Sequence, residues 1–263
     1  MTYKKRRPVY GNWIPMRVPV LLWILSFIFS VMLIFSVFGG WSGFARWLSF
    51  VLALLSVVSA SYLTLLRYGF SYEGGGVMDR VHKFVARRLP WNGRGRILDV
   101  GCGSGALSIM LAKNYPSSRV IGVDCWGSCW DCEQEQCIMN AAAEGVKNVT
   151  FVLGEAGKLR FGDGEFDAVV SNFVFDEVRG EPDKRKLVRE SLRVLKKGGA
   201  FVFHDRMEGR RSYGDIAQFI EELKAEGIDE VHYEAHTERL PFIPKYIRGP
   251  MCLRNLGILW GIK

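Results

Sequence analysis

Arg96-Ile-Leu-Asp99-Val-Gly101-Cys102-Gly103-Ser104-Gly105-Ala-Leu-Ser-Ile109 reads as a buried strand that runs through a glycine loop into a helix. Ile97, Leu98 and Val100 form the short apolar run expected of a strand covered on both faces. Gly101, Gly103 and Gly105 permit a tight turn with positive φ and bring backbone N–H groups toward a ligand with no Cβ in the way. Asp99, close to the strand's end, offers a carboxylate to an amino group. The spacing differs from the G-x-G-x-x-G of dinucleotide sites, where a helix N-terminus faces a pyrophosphate. It suits a cofactor without phosphates.

The segments that follow repeat the pattern of strand, acidic tip and helix. Arg119 to Asp124 reads as a second strand ending in an acid 25 residues after Asp99. An acid there binds ribose hydroxyls in dinucleotide folds too, so Asp124 alone does not separate the cofactor classes. Val149 to Ala156 reads as a third strand with Glu155 and Ala156 at its tip, and Phe166 to Phe173 as a fourth containing Ser171 and Asn172. Pro182 to Leu195 has helical periodicity, with Lys196-Lys197-Gly198-Gly199 as its stop and Ala200 to Asp205 as the fifth strand. Asp215 to Gly227 reads as a helix, Glu230 to Thr237 as a sixth strand and Leu256 to Ile262 as the last. Strands alternating with helices imply an α/β fold with a doubly wound, mostly parallel sheet.

On these motifs the chain resembles the class I S-adenosylmethionine (SAM) dependent methyltransferases, Leu98 to Gly105 matching motif I and Val194 to Phe203 the L-K-P-G-G passage with Lys197 in place of the proline. The resemblance implies a seven-stranded Rossmann-like sheet with an antiparallel last strand, and SAM as cofactor. The implied SAM contacts are Asp99, Gly101, Cys102, Gly103, Ser104 and Gly105 in the loop, Asp124 and Cys125 after the second strand, Glu155 and Ala156 beside the adenine, and Ser171 and Asn172 facing the methyl donor. The loop after the fourth strand, Ser171 to Glu177, lacks N/D-P-P-Y and Pro-Cys and resembles the small-molecule branch, whose members often have histidine where this chain has Asp176 or Glu177. Asp176, Glu177 and His204 are therefore candidate bases or acceptor contacts. Carboxylates at a helix start, favoured by its dipole, are the alternative for the first two.

Residues 1–67 are a different object. Val18 to Ala45 and Trp47 to Leu66 hold no charge, and each supplies the roughly 20 apolar residues that cross a bilayer core of about 30 Å. A hairpin with spans of about 18–38 and 47–66 is expected rather than a signal peptide, whose single apolar region is shorter. Lys4, Lys5, Arg6, Arg7 and Arg17 precede the first span and Arg67 follows the second, which puts both ends and the catalytic domain on the cytoplasmic side. Residues 1–67 carry +7 of the formal +8, so no basic groove for nucleic acid is expected in the remainder. Residues 68–95 read as a linker, including Tyr72 and Glu73, and an amphipathic helix; 96–263 form the methyltransferase domain.

Cys125, Cys129, Cys132 and Cys137 raise zinc or an iron–sulfur centre, but C-x3-C-x2-C-x4-C matches no familiar zinc spacing, and no metal is expected. His232 and His236 alternate with apolar residues in the sixth strand and read as structural. Leu240 to Arg254, apolar and aromatic with Lys245, Arg248 and Arg254, suits a membrane interface or a packed connection. The expectation is a membrane-anchored methyltransferase acting on a small, lipophilic acceptor. A soluble metabolite or a protein as acceptor, or a non-catalytic SAM-binding membrane partner, are the alternatives. The glycines of the hairpin serve turn or helix packing equally well, so oligomeric state stays open.

Overall fold

In the computed structural model, which describes residues 7–126, 133–249 and 253–263, the chain divides into two units. One takes Asn12 to Met78; the other takes the chain start up to Gly11 together with Asp79 to Lys263.

The first unit is built on two helices, α1 (Arg17–Phe38) and α2 (Gly43–Phe70). Their 22 and 28 residues span about 33 and 42 Å at 1.5 Å per residue. Both outrun the expected spans, and α2 begins four residues earlier because Ser42 caps it, its hydroxyl accepting from the Ala45 N–H at 3.3 Å. Ser49, Ala53, Ser56 and Ala60 are buried along one side of α2, whereas Phe27, Phe35, Phe38, Phe44 and Trp47 are exposed. Small residues on the buried side let the two helix backbones approach closely. Hydroxyls of Ser26, Ser30, Ser49 and Thr64 donate to carbonyls four residues back at 2.7–2.8 Å, leaving no unsatisfied donor in the apolar helices at these positions. Trp23 Nε1 joins the helices through Thr64 Oγ1 at 3.0 Å. The buried stripe uses alanine and serine, while Gly39 and Gly40 lie in the turn.

The second unit carries α3 (Val77–Arg88), most of which belongs to it, then β1 (Gly95–Val100), α4 (Ala106–Asn114), β2 (Ser118–Asp124), α5 (Gln134–Glu144), β3 (Val149–Leu153), β4 (Phe166–Asn172), α6 (Arg185–Arg193), β5 (Leu195–Asp205), α7 (Arg210–Tyr213), α8 (Ile216–Ala225), β6 (Glu230–Ala235) and β7 (Gly257–Ile262). The sheet order is β3-β2-β1-β4-β5-β7-β6. β1 pairs in parallel with both β2 and β4, and β7 runs antiparallel between β5 and β6. This is the seven-stranded, doubly wound, Rossmann-like sheet that the sequence leads one to expect. The strand order reverses between β1 and β4, which is where such sheets bind ligands. Leu98, Val100, Val169, Phe201 and Phe203 are fully buried and form the core's centre with Phe175 and Leu192.

Two strand boundaries differ clearly from the sequence reading. β5 begins at Leu195, paired with Phe166, and a register shift precedes the Ala168–Ala200 pair. Lys196 to Gly199 therefore form an irregular strand start rather than a helix stop, with Gly198 at φ +74°. β6 ends at Ala235, so His236 is not a strand residue; its φ is +55°. His232 does lie in β6, stacked on Trp260 at 5.4 Å.

Candidate active site

The glycine loop is drawn tight by backbone bonds. Gly101 and Cys102 N–H groups both donate to the Val123 carbonyl, at 2.7 and 3.1 Å, and Gly105 N–H to Cys102 O at 2.8 Å. Gly101, Gly103 and Gly105 have φ of +72°, +54° and +80°, conformations that L side chains rarely adopt. A Cβ on Gly101 would lie 2.2 Å from Val174, and one on Gly105 2.9 Å from Phe151, whereas one on Gly103 would meet nothing within 4 Å. The open side of the loop is therefore at Gly103.

Asp124, at the tip of β2, closes on that residue: its Oδ2 accepts from Gly103 N–H at 2.8 Å and its Oδ1 from Trp126 N–H at 2.9 Å. The Trp126 indole returns a bond to Gly103 O at 2.9 Å. Cys137 Sγ donates to the same carbonyl at 3.0 Å. Cys102 is buried, and burial pushes its thiol up; Cys125 is exposed. Of the four cysteines read as a cluster, Cys129 and Cys132 lie outside the described residues. Among the described residues no group of three or more ligating side chains is placed to hold a metal.

Asp99 is 1% exposed, and Ser108, in the first turns of α4, donates its hydroxyl to Asp99 Oδ2 at 2.5 Å. Burial pushes the carboxyl up to about 7, against the Ser108 bond and with a smaller push from Asp124. Ser171 spends its hydroxyl on Val100 O at 3.0 Å, tying β4 to β1 at the reversal point. Glu155 is exposed at the end of β3 in a bridge with Lys158, and Ala156 packs on the core.

Beyond β4 the chain assembles an aromatic and histidine cluster. His204, buried at the end of β5, makes two 2.8 Å bonds, Nδ1 with Asn172 Oδ1 and Nε2 with Thr237 Oγ1. The Phe173 ring lies 4.7 Å from it and the Phe84 ring of α3 6.1 Å; Phe84 in turn meets Phe242 at 6.1 Å. Burial, with His82 nearby, lowers His204 to about 3, and burial lowers His82 to about 4 against the pull of Asp79. Both imidazoles are neutral at pH 7.

The two candidate carboxylates sit differently. Asp176 pairs with Arg206 at 3.3 Å, and its N–H donates to Asp205 Oδ2 at 3.1 Å. Asp205 is buried, which raises it to about 6 against the bonds from the Arg206 and Asp176 backbone. Glu177 is exposed in the short 3-10 turn Phe175–Glu177. The structure thus gathers Asp99, Asp124, the glycines and Ser171 at one end of β1 and β4, and groups His204 with Asn172 nearby. Ser108, Trp126, Phe84, Thr237 and Phe242 also belong to this region. Sequence reading missed them because each is brought in by packing, and no motif marks them.

Residues 97–199 match the family model described as a methyltransferase domain. The chain is 34% identical over 127 residues to an arsenite methyltransferase of Aquipseudomonas alcaligenes, covering 47% of this chain and 36% of that protein. It is 29% identical over 128 residues to the ubiquinone/menaquinone biosynthesis C-methyltransferase UbiE of Geobacter sp. (strain M21), covering 48% and 52%. The chain thus spans about half or less of the length of these curated relatives. Among solved structures it resembles the [4+2]-cyclase SpnF, with 26% identity, a TM-score of 0.50 and 62% of each chain covered. A phosphoethanolamine N-methyltransferase 2 of Haemonchus contortus, solved in complex with SAM, shares the fold at 21% identity and a TM-score of 0.51, over 67% of this chain and 44% of that one.

Proposed function

We propose that the chain is a membrane-anchored, SAM-dependent methyltransferase that transfers a methyl group to a small, lipophilic acceptor. The observation that carries the reading is a glycine loop whose open side lies at Gly103, bonded there by Asp124 and entered from a strand that carries the buried carboxyl of Asp99. The residues fit the cofactor: a buried carboxyl near its point of ionisation answers a cationic amino group, and Asp124, able to exchange its loop bonds, answers ribose hydroxyls. Asp99, Asp124, Gly103, Ala156 and Asn172 would hold it, and SAM would supply an electrophilic methyl group on a sulfonium.

The protein's contribution is positioning. Displacement at a methyl group needs the acceptor in line behind the carbon–sulfur bond, and orientation alone accounts for much of the rate. The cluster of Phe84, Phe173 and Phe242 supports an apolar acceptor. His204, lowered by burial and bonded through both ring nitrogens to Asn172 and Thr237, orients Asn172 among those rings rather than taking a proton. Asp176, engaged by Arg206, and exposed Glu177 orient the loop after β4.

The two apolar helices and their flanking cations support a hairpin across the bilayer, with both ends cytoplasmic. The relative named for ubiquinone/menaquinone biosynthesis is consistent with a lipophilic acceptor, whereas the one named for arsenite acts on a small polar one. The likeness to a protein titled a [4+2]-cyclase, which is not named for methyl transfer, supports a second reading, a non-catalytic SAM-binding membrane partner.

Transfer of labelled methyl from SAM to a native cell extract by the detergent-purified chain, followed by organic–aqueous partition and protein precipitation, separates the readings. Label in the organic phase is expected. Label in water or precipitate moves the acceptor to a metabolite or a protein, and SAM binding without transfer leaves the second reading.

A further inference from the structure

The chain start, Pro8 to Gly11, lies against the glycine loop within the sheet-bearing unit, and the contact is built rather than casual. Asn140 of α5 is 1% exposed and uses its full hydrogen-bonding capacity. Its Oδ1 accepts from Val9 N–H at 2.7 Å and from Gln136 Nε2 at 3.0 Å, while its Nδ2 donates to Val9 O at 2.9 Å and to Ser104 O at 3.0 Å. One side-chain amide therefore pairs with the backbone of Val9 as a neighbouring strand would, and holds the SAM loop with the same group. Ser104 adds a second link, its hydroxyl donating to Tyr10 O at 2.8 Å. Tyr10 adds a third, its phenol donating to Glu144 at 3.1 Å.

The placement of Ser104 gives this network its consequence. It sits between Gly103 and Gly105, both with positive φ, in a loop whose glycines are costly to order because they lose the most backbone freedom. The carbonyl of Ser104 is held by Asn140, which the strap orients, and its hydroxyl by the strap itself. Val9 is 59% exposed, so at this residue the strap contributes backbone bonds rather than apolar burial. Such a contact adjusts a loop's order more than the stability of the fold.

We infer that residues 8–11 are a strap that preorganises the SAM loop, with Asn140 and Ser104 as positioning residues. The inference rests on the reading of the loop as a SAM site. Docking of the strap and SAM binding favour the same loop conformation, so each strengthens the other by the same factor. In sequence the strap leads into the apolar helix that starts at Arg17, which joins the start of the anchor to cofactor affinity.

The test uses the full chain in detergent, with SAM as the probe and calorimetry as the readout. Val9→Pro removes the strap's N–H donor while leaving Asn140 and Ser104 in place, and Ser104→Ala removes the hydroxyl link. Each is expected to weaken SAM binding about tenfold, which corresponds to about 1.4 kcal/mol. In turnover, KM for SAM rises and kcat holds. Asn140→Ala is expected to lose more, and the two milder variants keep the inference falsifiable should it not fold. In hydrogen exchange, SAM is expected to slow the Val9 amide of the wild-type chain. Wild-type affinity in both mild variants, or an unchanged Val9 exchange rate, overturns the strap. A wild-type chain that binds no SAM overturns the proposed function first, and the strap's role with it.

Discussion

Ser108 Oγ donates to Asp99 Oδ2 across 2.5 Å, so the most buried carboxyl beside the glycine loop is held by a residue of the following helix. The bond opposes the burial that pushes Asp99 up to about 7. In the ligand-free chain the sign is that of a raised acid: its contribution to stability is complete below 3.8 and is lost as pH rises through about 7. A bound ammonium group reverses the preference. SAM affinity is therefore expected to fall below about pH 7, by up to about tenfold per pH unit. Titration calorimetry between pH 5.5 and 8 measures this, with a flat, weaker profile expected of Asp99→Asn; a pH-independent wild type contradicts the assignment.

His204 has the opposite linkage. Its pKa falls from 6.5 to about 3 on burial, so the stability it contributes is complete above 6.5 and is lost as pH drops toward 3. His204→Gln is expected to be less stable by about 1–3 kcal/mol at pH 7, having disturbed the bonds to Asn172 and Thr237. That gap should narrow at lower pH, by at most about 1.4 kcal/mol per unit. Denaturant unfolding at pH 7, 6 and 5 checks it, and a constant gap argues against a neutral buried imidazole.

The loop glycines are not equivalent. Gly101→Ala places a methyl 2.2 Å from Val174 at φ +72°, and should cost about 3 kcal/mol or more from strain and overpacking together. Gly103→Ala meets nothing within 4 Å and should cost only about 1–2 kcal/mol. Yet its methyl projects toward the proposed ligand side, so SAM binding should suffer out of proportion to thermal stability. Paired melting and SAM-binding curves separate the two effects.

The helical hairpin makes a prediction independent of catalysis. The chain should stay with membranes after alkaline extraction. A single cysteine placed at Trp41, in the turn between α1 and α2, should react with an impermeant maleimide from outside intact cells, while one at Asp215 should not. Labelling of both or of neither sinks the two-span topology.

The Asp176–Arg206 pair gives a fourth check on the site. Asp176→Asn is expected to keep turnover within a few-fold, since the carboxylate is already engaged by Arg206 at 3.3 Å. A loss of a hundredfold or more, the scale of a missing general base, would give Asp176 the base role.

The sequence by itself determined the order of strands and helices through β4, the glycine loop with its two acids, and the two long apolar helices. Those features are local: periodicity, a turn that only glycine satisfies, and uninterrupted apolar length. It also placed Asp99, Asp124, Ser171 and Asn172 correctly at strand ends, because in a parallel sheet every strand's carboxyl end lies on one side. Only the tertiary structure decided what those ends meet. β5 starts five residues early because Leu195 finds Phe166 across the sheet, and His236 leaves β6 because β7 ends its pairing at Gly257. Thr237 reaches His204 across 33 residues of sequence, Ser108 turns back onto Asp99, and Asn140 grasps a strap 131 residues away. These are hydrogen bonds between groups whose sequence separation carries no periodic signal. They exist because burial left each polar group only those partners, a condition set by packing in three dimensions.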